Sequence, residues 1–100
     1  MTAVLSRRAR RDLDSAARWI AKDNRAAARG LRCAVEEAAR RIGEHPHIGI
    51  LRPDISAEPL RFVTLTGYPY VIVYDAEVTP PAILRVLHGA RDIPSIINTP

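Results

Sequence analysis

This sequence lacks the residues that would stabilise a small protein through covalent or metal crosslinks. Its one cysteine, Cys33, cannot form an internal disulfide and has no second cysteine with which to share a metal ion. We therefore expect the fold to depend on its hydrophobic core, with the Cys33 thiol packed inside it. The histidines are His45, His47 and His88, and because no cysteine or carboxylate cluster accompanies them, we expect no metal site.

The chain also lacks any apolar run close to the roughly 18 residues that a membrane span needs. Its first residues, MTAVLSRRARRD, place the charges after a short apolar piece, which is the reverse of a secretion signal. Both features predict a cytoplasmic protein without membrane contact. The five glycines are scattered and no Gly-x-Ser-x-Gly motif is present, so neither a phosphate-binding loop nor a serine nucleophile is indicated, and no cofactor is expected.

Lysine is nearly absent, and arginine carries most of the positive charge. Residues 1–41 contain eleven Arg or Lys against five Asp or Glu, whereas residues 42–100 contain four against six. The net charge of +4 therefore comes from the first part of the chain. Such a basic patch suits DNA, RNA or an acidic protein segment, and a solvated face that binds nothing is an equal alternative.

Two amphipathic helices are predicted in this basic part. Ser6 is a favourable N-cap for a helix that ends at Lys22, and Asn24 for a second helix that ends at Gly43. Each helix has an apolar stripe at three- and four-residue steps: Ala9, Leu13, Ala16, Ala17 and Ile20 in the first, and Ala28, Leu31, Val35, Ala38 and Ile42 in the second. The short connection predicts an antiparallel helical hairpin.

Two residues of the hairpin carry more specific expectations. Trp19 lies at the edge of the first stripe, and we expect packing to cover most of it. Many residues that face the partner helix are alanine, so the two helices are expected to approach closely. That close approach is the reason we expect for Gly30 inside the second helix, where glycine costs about 1 kcal/mol.

Strand-forming residues dominate the second part of the chain. A short strand is predicted at residues 2–5, and residues 43–59 are predicted to form a surface loop because they contain three prolines and two glycines. LRFVTL, YVIVYD and AILRVLH then predict an antiparallel meander. The expected fold is one α+β domain over residues 1–100, with the N-terminal helical hairpin packed on one face of a small antiparallel sheet and the other face open.

Arg61, Arg85 and His88 are the candidates for chemistry, because they lie on predicted strands that are otherwise apolar. Cleavage of RNA through its 2′-hydroxyl needs a base, an acid and cations, and histidine and arginine can supply these. The alternative is structural, with Arg85 paired to Asp75 or Glu77 of the neighbouring strand. The tyrosines of this region are expected in the core rather than as acids: Tyr68, Tyr70 and Tyr74.

The most specific pattern is ILRVLHGARDI, at residues 83–93. With SRRARRDLDSAARWIAKDN, HPHIGILRPDI and YPYVIVYDAE, it resembles the ParE branch of the RelE/ParE family of bacterial toxins over nearly the whole chain. The resemblance implies the same fold, a role in plasmid stabilisation, and a cognate ParD-like antitoxin that neutralises the toxin in a hetero-oligomer. It links toxicity to Arg85, His88, Arg91 and Asp92.

The branch of the family implies the target. RelE-like members cut messenger RNA on the ribosome, whereas ParE-like members act on DNA gyrase. Ribonuclease members tend to carry basic residues on the sheet and a terminal tyrosine, and no tyrosine follows Tyr74 here. The resemblance therefore implies gyrase inhibition without catalysis. The alternatives are a ribosome-dependent endoribonuclease, with Arg61, Arg85 and His88 as catalytic residues, and a non-toxic member that only binds antitoxin.

The antitoxin is expected to bind through a disordered, acidic segment that folds along apolar grooves flanked by basic side chains. The arginine excess supplies the attraction, and the groove between hairpin and sheet supplies apolar area. Four arginines are predicted to contribute: Arg8, Arg11, Arg18 and Arg32. Direct sequence-specific binding to nucleic acid is not expected, because neither a recognition helix nor stacking aromatic residues are evident.

Overall fold

The computed structural model describes residues 1–56 and 58–93, and these form two helices that pack on a five-stranded sheet. The elements in chain order are β1 (Val4–Leu5), α1 (Arg7–Ala21), α2 (Arg25–Glu44), β2 (Ile50–Leu51), β3 (Arg61–Thr64), β4 (Tyr70–Asp75) and β5 (Ala82–His88). The sheet order is β1-β5-β4-β3-β2, with β1 parallel to β5 and the other pairs antiparallel. The predicted α+β class is confirmed. In these residue ranges, no helix is long and apolar enough to cross a bilayer.

Ser6 begins α1 and also joins it to the sheet. Its Oγ accepts a hydrogen bond from Ala9 N–H at 3.1 Å and donates one to the carbonyl of Leu84 at 3.1 Å. Asn24 caps α2 in the same manner and accepts from Ala27 N–H at 2.9 Å. Because a cap satisfies N–H groups that lack helical partners, both helices begin where the sequence predicts.

The main core lies between the hairpin and the sheet. Both predicted apolar stripes are buried, except that Ile20 is only partly buried, and all of their residues apart from Ala17 and Ala28 pack in this core. Burial of a large aliphatic side chain contributes about 1.5–3 kcal/mol, so this layer supplies most of the driving force for folding. The largest fully buried side chains on this side include Tyr74, Leu31, Ile42, Ile72 and Ile83. Tyr70 is also buried and Tyr68 is partly buried, as predicted.

The opposite face of the sheet is not open, contrary to the prediction. A second, smaller core forms there from Phe62, Val71, Val73 and Leu87. Ile55, Leu60 and Ile93 pack against these four from the segment that precedes β3 and the segment that follows β5. The physical reason is that β4 is apolar on both sides, so both of its faces require cover.

Two side chains expected in the core are instead exposed. Trp19 is 63% exposed, with the Lys22 ammonium 4.9 Å from its ring centroid. Cys33 is exposed as well. Cys33 lies on the side of α2 opposite to the buried stripe, and Trp19 lies at the edge of the stripe of α1. Position on the helix thus decides the exposure of both side chains more than their hydrophobicity does.

Gly30 is explained by a tyrosine rather than by the approach of the two helices. A Cβ atom at this position would overlap the hydroxyl of Tyr68. That hydroxyl donates a hydrogen bond to the carbonyl of Ala27 at 3.0 Å, which leaves no room for a side chain at Gly30.

The predicted surface loop contains a strand, β2, that the sequence did not indicate. Ile50 pairs with Phe62 and Leu51 with Arg61, so β2 forms one edge of the sheet. The strand is too short to show alternation, and both of its side chains are exposed, which explains why the pattern was missed. The predicted strand at residues 2–5 is likewise shortened to β1.

Candidate functional site

The turn after β5 is built by residues of the motif that the resemblance links to toxicity. The N–H of His88 donates to Asp92 Oδ2 at 2.7 Å, and the N–H of Arg91 donates to His88 Nδ1 at 3.1 Å. The His88 ring meets Tyr70 edge to face, with 5.4 Å between ring centroids. His88 and Asp92 therefore shape the turn, and Arg91, whose side chain is 60% exposed, projects from it.

Arg85 is bound to α1 and not to the neighbouring strand. Its Nε lies 2.8 Å from Asp12 Oδ2, and the same carboxylate accepts from the N–H of Val86 at 3.0 Å. The interpretation that Arg85 pairs with Asp75 or Glu77 is therefore wrong. Among the described residues, no strand pairs with this edge of β5 beyond the short β1, so a carboxylate from α1 takes the place of one.

A cleft of about 250 Å³ lies beside the turn, between α1 and the end of β5. It is lined by Asp12, Ser15, Ala16, Trp19, Tyr70, Val86, Arg91 and Asp92. The cleft places an exposed indole and an exposed guanidinium beside the motif. Trp19 was not predicted as a surface residue, although its offset from the centre of the apolar stripe was a signal of exposure in the sequence.

Arg61 braces the chain just before β2. Its Nη1 donates to the carbonyl of Gly49 at 2.7 Å and, more weakly, to that of His47 at 3.3 Å. The Tyr74 hydroxyl accepts from Gly49 N–H at 2.9 Å and donates to the carbonyl of Pro46 at 2.6 Å. Burial raises the pKa of the Tyr74 phenol, against smaller lowering effects of the Gly49 N–H and the Arg61 charge.

The three residues proposed for RNA cleavage do not lie on one face of the sheet. Arg61 is paired with Tyr74, which belongs to the core under the helices, and His88 is paired with Tyr70 of the same core. Arg85 is paired with Val73, which belongs to the opposite core. Directly paired residues share a face, so the Arg85 side chain leaves the sheet on the face opposite to the other two, although its guanidinium reaches Asp12 on α1.

The arginines proposed for antitoxin binding divide into two groups. Arg18 and Arg32 line a groove of about 290 Å³ on the outer surface of the hairpin. Its other lining residues are Ala17, Ala21, Arg25, Ala28 and Arg29. Arg8 and Arg11 are exposed on α1 outside this groove, and Arg32 also bonds Asp14 at 2.9 Å. The lining of the groove therefore consists of small apolar alanines and positively charged arginines.

The described residues contain no group of three or more potential metal ligands from His, Cys, Asp and Glu. His45 and His47 are exposed in the connection between α2 and β2. His88 lies on β5, where its ring nitrogen is used by the turn.

Comparison with known proteins identifies the family. The model for the ParE toxin of type II toxin-antitoxin system, parDE, matches residues 3–93. Among solved structures, the chromosomal ParDE TA system from P. aeruginosa is similar, with a TM-score of 0.69 and 22% identity over 88% of this chain and 95% of that chain. Identity this low shows the fold alone, and no curated protein matches significantly. Since the family model spans nearly the whole sequence, the chain belongs to the ParE toxins of type II toxin–antitoxin systems.

Proposed function

We propose that this ParE-type toxin inhibits DNA gyrase in the cytoplasm, without catalysing a reaction, and that a cognate ParD-like antitoxin neutralises it. The family match supports the toxin assignment and the existence of a partner. The main support for a toxin without catalytic activity is that Arg61 and Arg85, the two arginines on the strands, are already bound to other groups. Arg61 is bound to backbone carbonyls and Arg85 to Asp12, so neither guanidinium is free to stabilise a phosphorane.

The cleft beside the motif turn is the surface we assign to the gyrase contact. Tryptophan and arginine are the residues that most often dominate protein interfaces, and Trp19 and Arg91 line this cleft together. The turn fixes the backbone of Arg91 through its own N–H and that of His88, and the Arg91 side chain donates from Nε to Asp92 Oδ1 at 3.3 Å. A pre-ordered anchor loses less side-chain entropy on binding.

A supercoiling assay tests this target. Purified gyrase is incubated with relaxed plasmid and ATP, with and without the toxin, and the products are scored for supercoiled and linear DNA. Lost supercoiling or accumulated linear DNA, reversed by the co-encoded antitoxin, is the expected result. Unaffected gyrase would contradict the proposal, and cleavage of messenger RNA on added ribosomes would then indicate the endoribonuclease.

The same assay distinguishes the cleft from the rest of the surface. Trp19→Ala combined with Arg91→Glu is expected to weaken inhibition roughly tenfold or more, because two anchor residues are lost. Val78→Ala is the matched control, since Val78 is exposed in the connection between β4 and β5 and does not line the cleft. Equal potency of both variants and the wild type would exclude the cleft.

For the antitoxin, we propose that an acidic helical segment lies in the arginine-walled groove of the hairpin. Arg18→Glu with Arg32→Glu is expected to weaken antitoxin binding more than Arg8→Glu with Arg11→Glu, although the charge change is the same. Titration calorimetry at low and at high salt measures both pairs, and salt is expected to reduce the difference. Equal losses for the two pairs would show that only the overall charge attracts the partner.

A further inference from the structure

The face of α1 that is turned away from the core carries a row of cationic side chains. This cationic row consists of exposed residues at steps of four, seven and four along the helix and its C-cap: Arg7, Arg11, Arg18 and Lys22. Because such steps return to the same side of a helix, the four charges project from one face. At about 1.5 Å per residue, the 15 residues of α1 extend the row over about 22 Å of the surface.

The carboxylates of α1 do not neutralise this row. Asp12 binds Arg85 and the N–H of Val86 on β5. Asp14 lies 2.9 Å from Arg32 on α2. In the part of the chain that the structure describes, no ion pair involves a member of the row. Both acidic side chains of the helix are therefore used by other elements, and the charge of the row faces solvent.

The row does not contribute to folding. Its members lie opposite to the buried stripe, so they cover none of the core. Arg7 and Arg11 lie near the N-terminus of α1, where the positive end of the helix dipole disfavours cations, and the first turn contains no acidic residue to offset them. Since these two arginines slightly destabilise the helix, binding explains them better than stability does.

The chemistry of the row suits phosphates better than an acidic peptide. A peptide that folds as it binds needs apolar area as well as charge, and the groove of the hairpin offers both through its alanines and arginines. Within α1, the one exposed large hydrophobic side chain is Trp19, which lines the cleft beside the motif turn. The row itself offers positive charge and N–H donors, which are the groups that contact a nucleic-acid backbone.

We propose that the cationic row binds the phosphate backbone of duplex DNA without regard to sequence, so that the toxin contacts DNA while it contacts gyrase. The choice of DNA rests on the proposed function, because DNA is what gyrase acts on. Ser15 and Trp19 of α1 line the cleft assigned to gyrase, so the row and the cleft adjoin. One DNA strand carries a phosphate about every 3.4 Å along its axis, so a row of about 22 Å lies beside about six phosphates.

Fluorescence anisotropy with a short labelled DNA duplex of arbitrary sequence, measured over a series of salt concentrations, tests the row. Each phosphate contact contributes about −0.9 to the slope of log affinity against log salt, so a slope of about −3 to −4 is expected for the wild-type toxin. Arg7→Ala with Arg11→Ala is expected to reduce the size of that slope by about two and the affinity by roughly tenfold or more. The variant should keep at least the thermal midpoint of the wild type, because it removes cations from the start of a helix.

Arg40→Ala with Arg52→Ala is the matched control. It removes the same charge from two arginines that already bind carboxylates: Arg40 binds Glu37 and Glu44, and Arg52 binds Asp54. The control is expected to keep most of the affinity for the duplex. Equal losses for the two pairs would overturn the proposal, because only the net charge of the toxin would then attract DNA.

The supercoiling assay separates this inference from the proposed function. A toxin that inhibits gyrase but does not bind the duplex would overturn the DNA contact and leave the target intact. Duplex binding that depends on Arg7 and Arg11, with gyrase unaffected, would support the DNA contact and contradict the target. Tighter binding to single-stranded RNA than to the duplex would overturn the choice of DNA. If the substitutions weakened antitoxin binding and not DNA binding, an acidic protein segment would be the partner of the row, and the proposal would be wrong.

Discussion

The two outermost strands of the sheet, β1 and β2, are alike in length and in aliphatic character, yet the molecule treats its two edges differently. At the β1 edge, the helix that follows covers what the strand leaves open, because Asp12 of α1 accepts from the N–H of Val86. At the β2 edge, Tyr74 and Arg61 brace the backbone from inside, and Ile50 is exposed. The Asp12 carboxylate thus satisfies a backbone group at one edge of the sheet, whereas the described residues place no further strand beside β2 at the other edge.

The largest expected loss of stability comes from adding a side chain at Gly49, next to β2. Gly49→Ala places a methyl group within 3.0 Å of both the Tyr74 ring and Arg61 Cβ, so the bracing side chains must move. Overpacking of this kind costs about 3 kcal/mol, and chemical denaturation measures the free energy of unfolding.

Gly89→Ala is the control for that substitution. The atom nearest to its added Cβ is Val71 Cγ2 at 3.5 Å, an ordinary contact, and the unfolding free energy should change by less than about 1 kcal/mol. Equal destabilisation by the two alanines would show that β2 is not braced by Gly49.

Asp12→Ala removes the contact between α1 and the edge of β5. The substitution leaves the Arg85 guanidinium and the Val86 N–H without their acceptor, and the Asp12 side chain is only 15% exposed. A loss of about 2 kcal/mol is expected in the same denaturation experiment. Asp14→Ala is the control on the same helix, because it breaks an exposed pair with Arg32 and should cost less than about 0.5 kcal/mol. Comparable losses would contradict a specific role of Asp12 at the edge.

A smaller effect, which depends on pH, is expected from Tyr74→Phe. Loss of the hydroxyl removes the acceptor of Gly49 N–H and costs about 1 kcal/mol at neutral pH. Burial raises the pKa of Tyr74 in the folded protein, so its stabilisation is complete below the ordinary tyrosine pKa of about 10 and is lost as pH rises through the folded value. Thermal midpoints measured from pH 8 upward should therefore converge for the two proteins above about pH 10. A difference in thermal midpoint that stays constant with pH would mean that folding does not change the pKa of Tyr74.

Much of the fold was predictable because it depends on residues close in sequence. The caps Ser6 and Asn24 and the two apolar stripes predict both helices, and alternating or continuous apolar residues predict β3, β4 and β5. The second core was not predicted, although the apolar run of β4 indicated that both faces need cover. β2 was missed because two residues carry too little pattern.

The candidate site was less predictable than the fold. The motif from Arg85 to Asp92 was found from its residues, but the partner of Arg85 lies 73 positions away in sequence, on α1. The exposure of Trp19 likewise depends on where α1 lies relative to the end of β5. Roles in toxicity and in antitoxin binding stay predictions for the motif and for the arginines.

By itself, the sequence determined the two helices, the central strands, the excess of arginine in the first part and the likeness to ParE toxins. These properties depend on local spacing, on composition or on a contiguous motif. Tertiary structure alone decided which arginines are engaged, which edge is sealed and which is exposed. Those outcomes depend on contacts between Asp12 and β5 and between Tyr74 and Gly49, and distant pairs of this kind leave no pattern along a single chain.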